Sequence, residues 1–155
     1  MAAAERRVAL DTSVVVAALL SVHEHHAAAA PFVAALRRSA GIVLPLPALI
    51  ESYAVLTRLP TPLRLDRRVV NEALRQTFER HAEIPGLDGA GGWALLAMAV
   101  AGEVVGGTLY DLHIATCAKQ AGASELATFN RRHFERFELG GIRLVVPGQG
   151  AAGPG

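Results

Sequence analysis

Short apolar runs alternate with longer helix-period stretches along this chain, and that alternation restricts the fold more than any other feature. Val8, Ala9 and Leu10 read as a strand over 6–10, followed at once by a helix over 13–21. "HEHHAAAAPFVAALRRSAG" is a second helical stretch, open to a bend at Pro31 and stopped at Gly41. "IVLPLP" holds a strand over 42–44, and Pro47 suits the first turn of the helix "PALIESYAVLTRL", which Pro60 and Pro62 close. From Asp66 as a cap, Val69, Val70, Ala73, Leu74 and Phe78 fall at helical spacing. Residues 82–84 make a minor strand, "WALLAMAVAGEV" a strongly apolar helix, and Asp111 stands at the start of another. "ELATF" and "IRLVV" are two late strands. With no repeat and no internal linker, this order predicts one α/β domain over residues 1–147 around a short, mainly parallel sheet. The tail over 148–155 has nothing to bury and is expected to be disordered.

Composition narrows the class. A chain of 155 residues, 52% of them hydrophobic, can bury a full core. No run reaches the roughly 18 uninterrupted apolar residues of a membrane span, so no membrane partner is expected. "MAAAERRVAL" lacks the apolar segment of a secretory signal. Cys117, the one cysteine, cannot form an internal disulfide, and a cytoplasmic location is expected; on a helix it reads as a small packed hydrophobe. The net charge of +1 does not by itself announce a nucleic-acid ligand. Of the 15 basic residues only Lys119 is a lysine, and an arginine bias of this kind carries little weight beside so much Ala and Gly.

Three acids stand in apolar surroundings. Asp11 interrupts "RVALDTSVVVAALL", Glu51 interrupts "PALIESYAVL" and Asp111 interrupts "TLYDLHIA". Each has an ordinary reading, as a helix cap or as a first-turn acid favoured by the helix dipole. Yet all three fall at or near helix starts, and in a parallel α/β sheet those starts gather at the carboxyl edge, where ligands bind. Carboxylates meeting in one cleft repel each other unless a cation holds them. An all-oxygen set selects Mg²⁺ or Mn²⁺. The rival metal motif, "HEHH" at 23–26, spaces its histidines so that they cannot all face one point, and reads better as a solvated helix start.

"LDTSVVVAAL", "PALIESYAVLTRLP" and "YDLHIATCAKQAGASELATFN" resemble, in order and spacing, the acidic motifs of the PIN-domain nucleases, most of all the VapC toxins of bacterial toxin–antitoxin pairs. The resemblance runs from Val8 to about Val146, and "GGTLYD" and "TFNRRHF" add to it. It implies a three-layer α/β/α sandwich and a metal-dependent endoribonuclease that cleaves RNA phosphodiesters with a metal-activated water. Asp11, Asp111 and Glu51 match the acids that hold Mg²⁺ or Mn²⁺, with Asn130 as a fourth catalytic position. Ser13 and Thr128 match residues that support the cleft. Arg131 and Arg132 are candidate RNA contacts, or equally a solvated charge pair. The family often has an aspartate two residues after the Thr, or just before the Phe; here Asn130 takes the first place without charge and His133 the second. The implied partners are an RNA, an antitoxin encoded nearby and a second copy of the chain. The apolar excess of "WALLAMAVAG" and "SVVVAALL" fits such a homodimer, or helices buried on two sides.

Other classes fit less well. A haloacid-dehalogenase-type phosphatase needs a second acid two residues after the first, where this chain has Ser13. A response-regulator receiver needs an acidic pair and a late lysine, and both are missing. The alternative within the family is a catalytically idle PIN domain that only binds RNA or protein, against which the intact Asp11, Glu51 and Asp111 argue.

Overall fold

Val8, Ala9 and Leu10 are fully buried in β1 (Arg7–Leu10), the middle strand of the sheet. The structure is a computed structural model and describes residues 5–150. After β1 the chain forms α1 (Thr12–Leu19), α2 (His26–Ser39), β2 (Gly41–Val43) and α3 (Leu46–Thr57). It continues through α4 (Arg67–Leu74), which widens into a π-helical turn at Arg75–Glu79, then β3 (Ala82–Glu83) and α5 (Gly89–Ala101). The last elements are α6 (Thr108–Gln120), β4 (Glu125–Ala127), α7 (Arg131–Glu135) and β5 (Arg143–Val145).

The five strands lie in the order β3-β2-β1-β4-β5, and every pairing is parallel. The expected sheet is therefore parallel throughout. From β1 the chain steps outward to β2 and β3, then returns across the sheet to β4 and β5. By the right-handed rule for parallel crossovers, this strand order puts α1 to α4 on one face and α5 to α7 on the other, the arrangement of a three-layer sandwich. The direction of winding reverses between β1 and β4, the position in such sheets where a crevice opens at the carboxyl ends. The Asp11 amide donates to the Ala127 carbonyl at 3.0 Å, so the exits of these two strands are tied together.

Several boundaries shift for local reasons. The second helical stretch begins at His26 and not at His23, because residues 20–26 are spent on two turns, His23 N–H to Leu20 and His26 N–H to His23. α2 runs unbroken through Pro31. α3 starts one residue before Pro47, after Pro45 at its N-cap. α1 buries Thr12, Val14, Val15, Val16 and Ala17 and is covered on both sides, whereas α5 buries only Leu95 and Ala99. Trp93 and Val100 on α5 are 75% and 81% exposed. Similar apolarity thus serves a buried helix in one case and an open face in the other. Cys117 is fully buried, and burial pushes its thiol up to about 11, as a packed residue requires. Of the tail, residues 148–150 are described: Gly148 has φ +82°, and a Cβ there would lie 2.8 Å from Ala28 Cβ. Residues 151–155 lie outside the described residues.

One buried acid is structural. Glu125 on β4 accepts two hydrogen bonds from the Arg6 guanidinium, at 2.9 and 3.0 Å, and one from Arg143 at 3.2 Å. The Arg6 hydrogen bonds hold its carboxyl below the usual range against the opposing effect of burial. A depressed carboxyl contributes stability above its unfolded-state value and loses it as pH falls through the lower folded value. Glu125→Gln is therefore expected to lower the urea midpoint at pH 7, by an amount that shrinks as pH falls through the lowered folded value. Equal midpoints for the two proteins at pH 7 would show that the pair contributes nothing net.

Candidate active site at the carboxyl edge

Asp11 is the last residue before α1 and only 3% exposed. It occupies the N-cap position, yet no amide of the helix makes a side-chain cap hydrogen bond with it. Its Oδ2 instead accepts from Ser13 Oγ at 2.7 Å and from Thr128 Oγ1 at 2.8 Å. Both bonds fall on one oxygen, which leaves Oδ1 for another partner. Burial raises the Asp11 carboxyl above its ordinary value, against the two hydroxyls and the nearby Thr12 and Ser13 amides, which favour the anion.

Ser13 and Thr128 form the frame around this carboxylate. The Phe129 amide donates to Ser13 Oγ at 3.0 Å, and the Asn130 amide donates to Thr128 Oγ1 at 2.9 Å. Both hydroxyls are thereby aimed at Asp11 by backbone groups leaving β4. The role expected of the two residues as supports of the cleft has a geometric basis in these bonds.

Glu51 is exposed and is the sixth residue of α3, one turn further in than the first-turn position read from the sequence. The difference follows from a helix that starts at Leu46. From there its Oε2 accepts from Thr12 Oγ1 at 2.9 Å, which draws the carboxylate toward the start of α1. Asp111 is half-buried and is the fourth residue of α6, whose N-cap is Gly107, so it is not the cap of its helix. Its carboxyl is raised first by burial and then by the negative charges of Asp11 and Glu51, with His133 opposing. The negative charges of Asp11 and Glu51, from separate segments, thus both reach Asp111.

The remaining expected positions are at the rim. Asn130 is exposed at the N-cap of α7, and its side chain makes no hydrogen bond among the described residues; it touches the cleft through its backbone amide. Arg131 pairs with Glu135 at 2.8 Å. Arg132 is exposed and has no ionic partner among the described residues. Two contacts went unread in the sequence. Thr12 orients Glu51, and His133 Nδ1 lies 3.3 Å from Asp111 Oδ2. The signal for His133 was its place just before Phe134, where the resemblance puts an acid. The "HEHH" histidines are used locally: the His25 amide donates to His23 Nδ1 at 3.0 Å, and His26 Nδ1 meets the Ala17 carbonyl at 2.9 Å.

The donor set suits a hard divalent cation. It offers carboxylates and hydroxyls, with the His133 imidazole beside Asp111, and two of its carboxyls are raised by burial, one of them also by its acidic neighbours, which a positive charge would relieve. Among the described residues no three of His, Cys, Asp and Glu converge closely enough to hold one ion by themselves. Mg²⁺ is ordinarily held by one or two carboxylates with water completing the shell, so a looser set is compatible with it.

Fold and site together define a doubly wound α/β domain with an acidic cleft at its winding reversal. The family model of the PIN domain matches residues 8–139, and the chain belongs to that family. It is 37% identical over 131 residues to ribonuclease VapC40 of Mycobacterium tuberculosis, covering 84% of this chain and 92% of the relative. It is 36% identical over 138 residues to ribonuclease VapC27 of the same species, covering 89% and 95%. Its fold is similar to that in the structure of VapBC2 from Rickettsia felis bound to a promoter DNA fragment. There the TM-score is 0.62 at 18% identity, with 90% of this chain and 98% of the other covered.

Proposed function

We propose that this chain is a metal-dependent endoribonuclease that cleaves RNA phosphodiesters and acts as the toxin of a toxin–antitoxin pair. The observation that supports the reading is that the charges of Asp11 and Glu51 both bear on Asp111, three acids carried toward one edge of the sheet by the start of α1, by α3 and by α6. The ribonuclease names of two relatives matched over most of their length support the same chemistry.

Asp11 and Asp111, with Glu51, would hold Mg²⁺ or Mn²⁺. When bound, such an ion lowers the pKa of a water and screens the charge on the scissile phosphate. The residues of the chain do the rest. Ser13 and Thr128 hold Asp11 by Oδ2 and leave Oδ1 for the ion. Thr12 holds Glu51 by Oε2 and leaves Oε1 to orient the attacking water and accept its proton. Water attack at phosphorus expels the 3′-oxygen, so one product carries a 5′-phosphate and the other a 3′-hydroxyl. Arg132, exposed at the rim, would meet a flanking phosphate.

The exposed Trp93, Leu96 and Val100 lie on one face of α5 and favour a homodimer. No helix among the described residues is long and apolar enough to cross a membrane, which supports a cytoplasmic setting. An unchecked ribonuclease would harm its host, so an antitoxin from a neighbouring gene completes the proposal. The test is cleavage of total RNA by the purified protein. Activity is expected with Mn²⁺, none with EDTA, and at most about 1% in Asp111→Asn, the scale of removing one electrostatic group from a reacting centre. Undiminished cleavage in EDTA would overturn the metal assignment, and an inert wild type the ribonuclease reading.

A further inference from the structure

The His25 imidazole and the Phe129 ring stack at 4.2 Å between centroids and 9° between planes, beside the acidic cleft. Neither side chain hydrogen-bonds a carboxylate of the cleft, and the two come from distant parts of the chain. Phe129 is rooted: its ring packs on the main core, and its amide donates to Ser13 Oγ, which in turn donates to Asp11 Oδ2. Two hydrogen bonds thus separate this ring's backbone from the carboxylate. His25 is held by its backbone, donating to His23 Nδ1 and accepting from the Ala29 amide at 2.9 Å. Its side chain nevertheless keeps 43% of its surface open. A cavity of about 460 Å³ opens next to Phe129, lined also by Asn130, Arg132 and His133.

An aromatic pair fixed by backbone bonds, half-open, next to a cavity and near a cationic rim matches the way single-stranded nucleic acid is gripped. Unpaired bases stack on aromatic or histidine faces while arginine follows the backbone. We propose that His25 and Phe129 form a stacking platform for an unpaired base of the RNA adjoining the scissile phosphate. The inference rests on the ribonuclease reading and adds to it a preference for unpaired substrate at this position. The face offered is flat and bears no fixed base-edge donors, so it tolerates any base while demanding that the base be out of a helix.

The experiment uses the full chain in Mn²⁺ with a short random-sequence single-stranded RNA, and a matched ribose-phosphate oligomer without bases as competitor. His25→Ala is expected to raise KM about tenfold, the scale of one lost base stack, with kcat nearly unchanged. His25→Phe, which keeps a flat ring, should restore KM. The base-free competitor should bind wild type and His25→Ala equally. An active wild type whose KM is unaltered by His25→Ala, or a His25→Phe protein as weak as His25→Ala, would overturn the platform and leave the ribonuclease reading standing. A loss of neighbouring-gene antitoxin binding in His25→Ala without a change in KM would assign the face to protein and not to RNA. A wild type that cleaves no RNA removes both readings together.

Discussion

Asp11→Asn is expected to abolish RNA cleavage while raising the thermal midpoint of the metal-free protein. The two effects have one origin. Asp11 is buried beside the negative field of Asp111, and burial raises its carboxyl above the ordinary value. An acid with a raised folded-state value costs stability when ionised; that cost is present at neutral pH and is relieved as pH falls through the folded value toward the unfolded one. Asparagine removes the charge yet keeps an oxygen for the Ser13 and Thr128 hydroxyls, and it remains a good residue before a helix. A gain of a few degrees is expected in EDTA at pH 7, given that about 1 kcal/mol moves a domain of this size by about 2–4 °C. As pH falls through the raised folded value of Asp11, the gap between variant and wild type should narrow. Added Mn²⁺ should stabilise the wild type and leave the variant nearly unmoved. Cleavage should fall by about 10²-fold or more. Melts in EDTA at two pH values, with and without Mn²⁺, check the first part, and gel cleavage assays the second. A variant less stable than wild type in EDTA at pH 7 would mean that the hydroxyl frame requires the anion, and the account of strain by charge would fail.

Asp11 taken alone reads as a helix cap; it becomes readable as part of a set because the strand-to-helix step places it at the carboxyl edge. Ser13 and Thr128 are readable only through resemblance, since a hydroxyl near an acid is common. Glu51 and Asp111 are readable as members of the set, but Glu51 lies a turn deeper in its helix than read, and Asp111 lies in the first turn without being the cap. Their helices begin at Leu46 and Thr108, and the choice of first residue depends on Pro45 and Gly107 at the N-caps, which apolar periodicity does not register. The contacts that orient them, Thr12 to Glu51 and His133 to Asp111, join residues far apart in the chain. Periodicity speaks only to neighbours within a few turns, so it cannot announce such pairs. α5 marks the same boundary from another side. Apolar residues all round a helix satisfy either full burial or an unpartnered face, and only the packing of Leu95 and Ala99, with Trp93 and Val100 left open, separates the two.

Phe134→Ala is expected to cost about 3–5 kcal/mol of stability, the range for emptying a fully buried aromatic site. Phe134 is 0% exposed, belongs to the main core and meets Phe137 edge-to-face with centroids 6.3 Å apart. α7 has only five residues, too few to be stable as a helix on its own, and Phe134 is its one buried side chain. The same short helix carries Arg132 and His133 at the rim of the cleft, the latter beside Asp111. Removing the anchor should therefore loosen the rim as well as lower the midpoint. Phe134→Leu keeps most of the apolar volume and should retain most of the stability. In the alanine variant, hydrogen exchange should rise first at the amides of α7, at temperatures where β1 remains protected. RNA cleavage should weaken there through KM before kcat falls. A loss under about 1 kcal/mol in urea unfolding, with α7 amides as protected as in wild type, would show that α7 is held by its flanking turns and not by the ring beneath it.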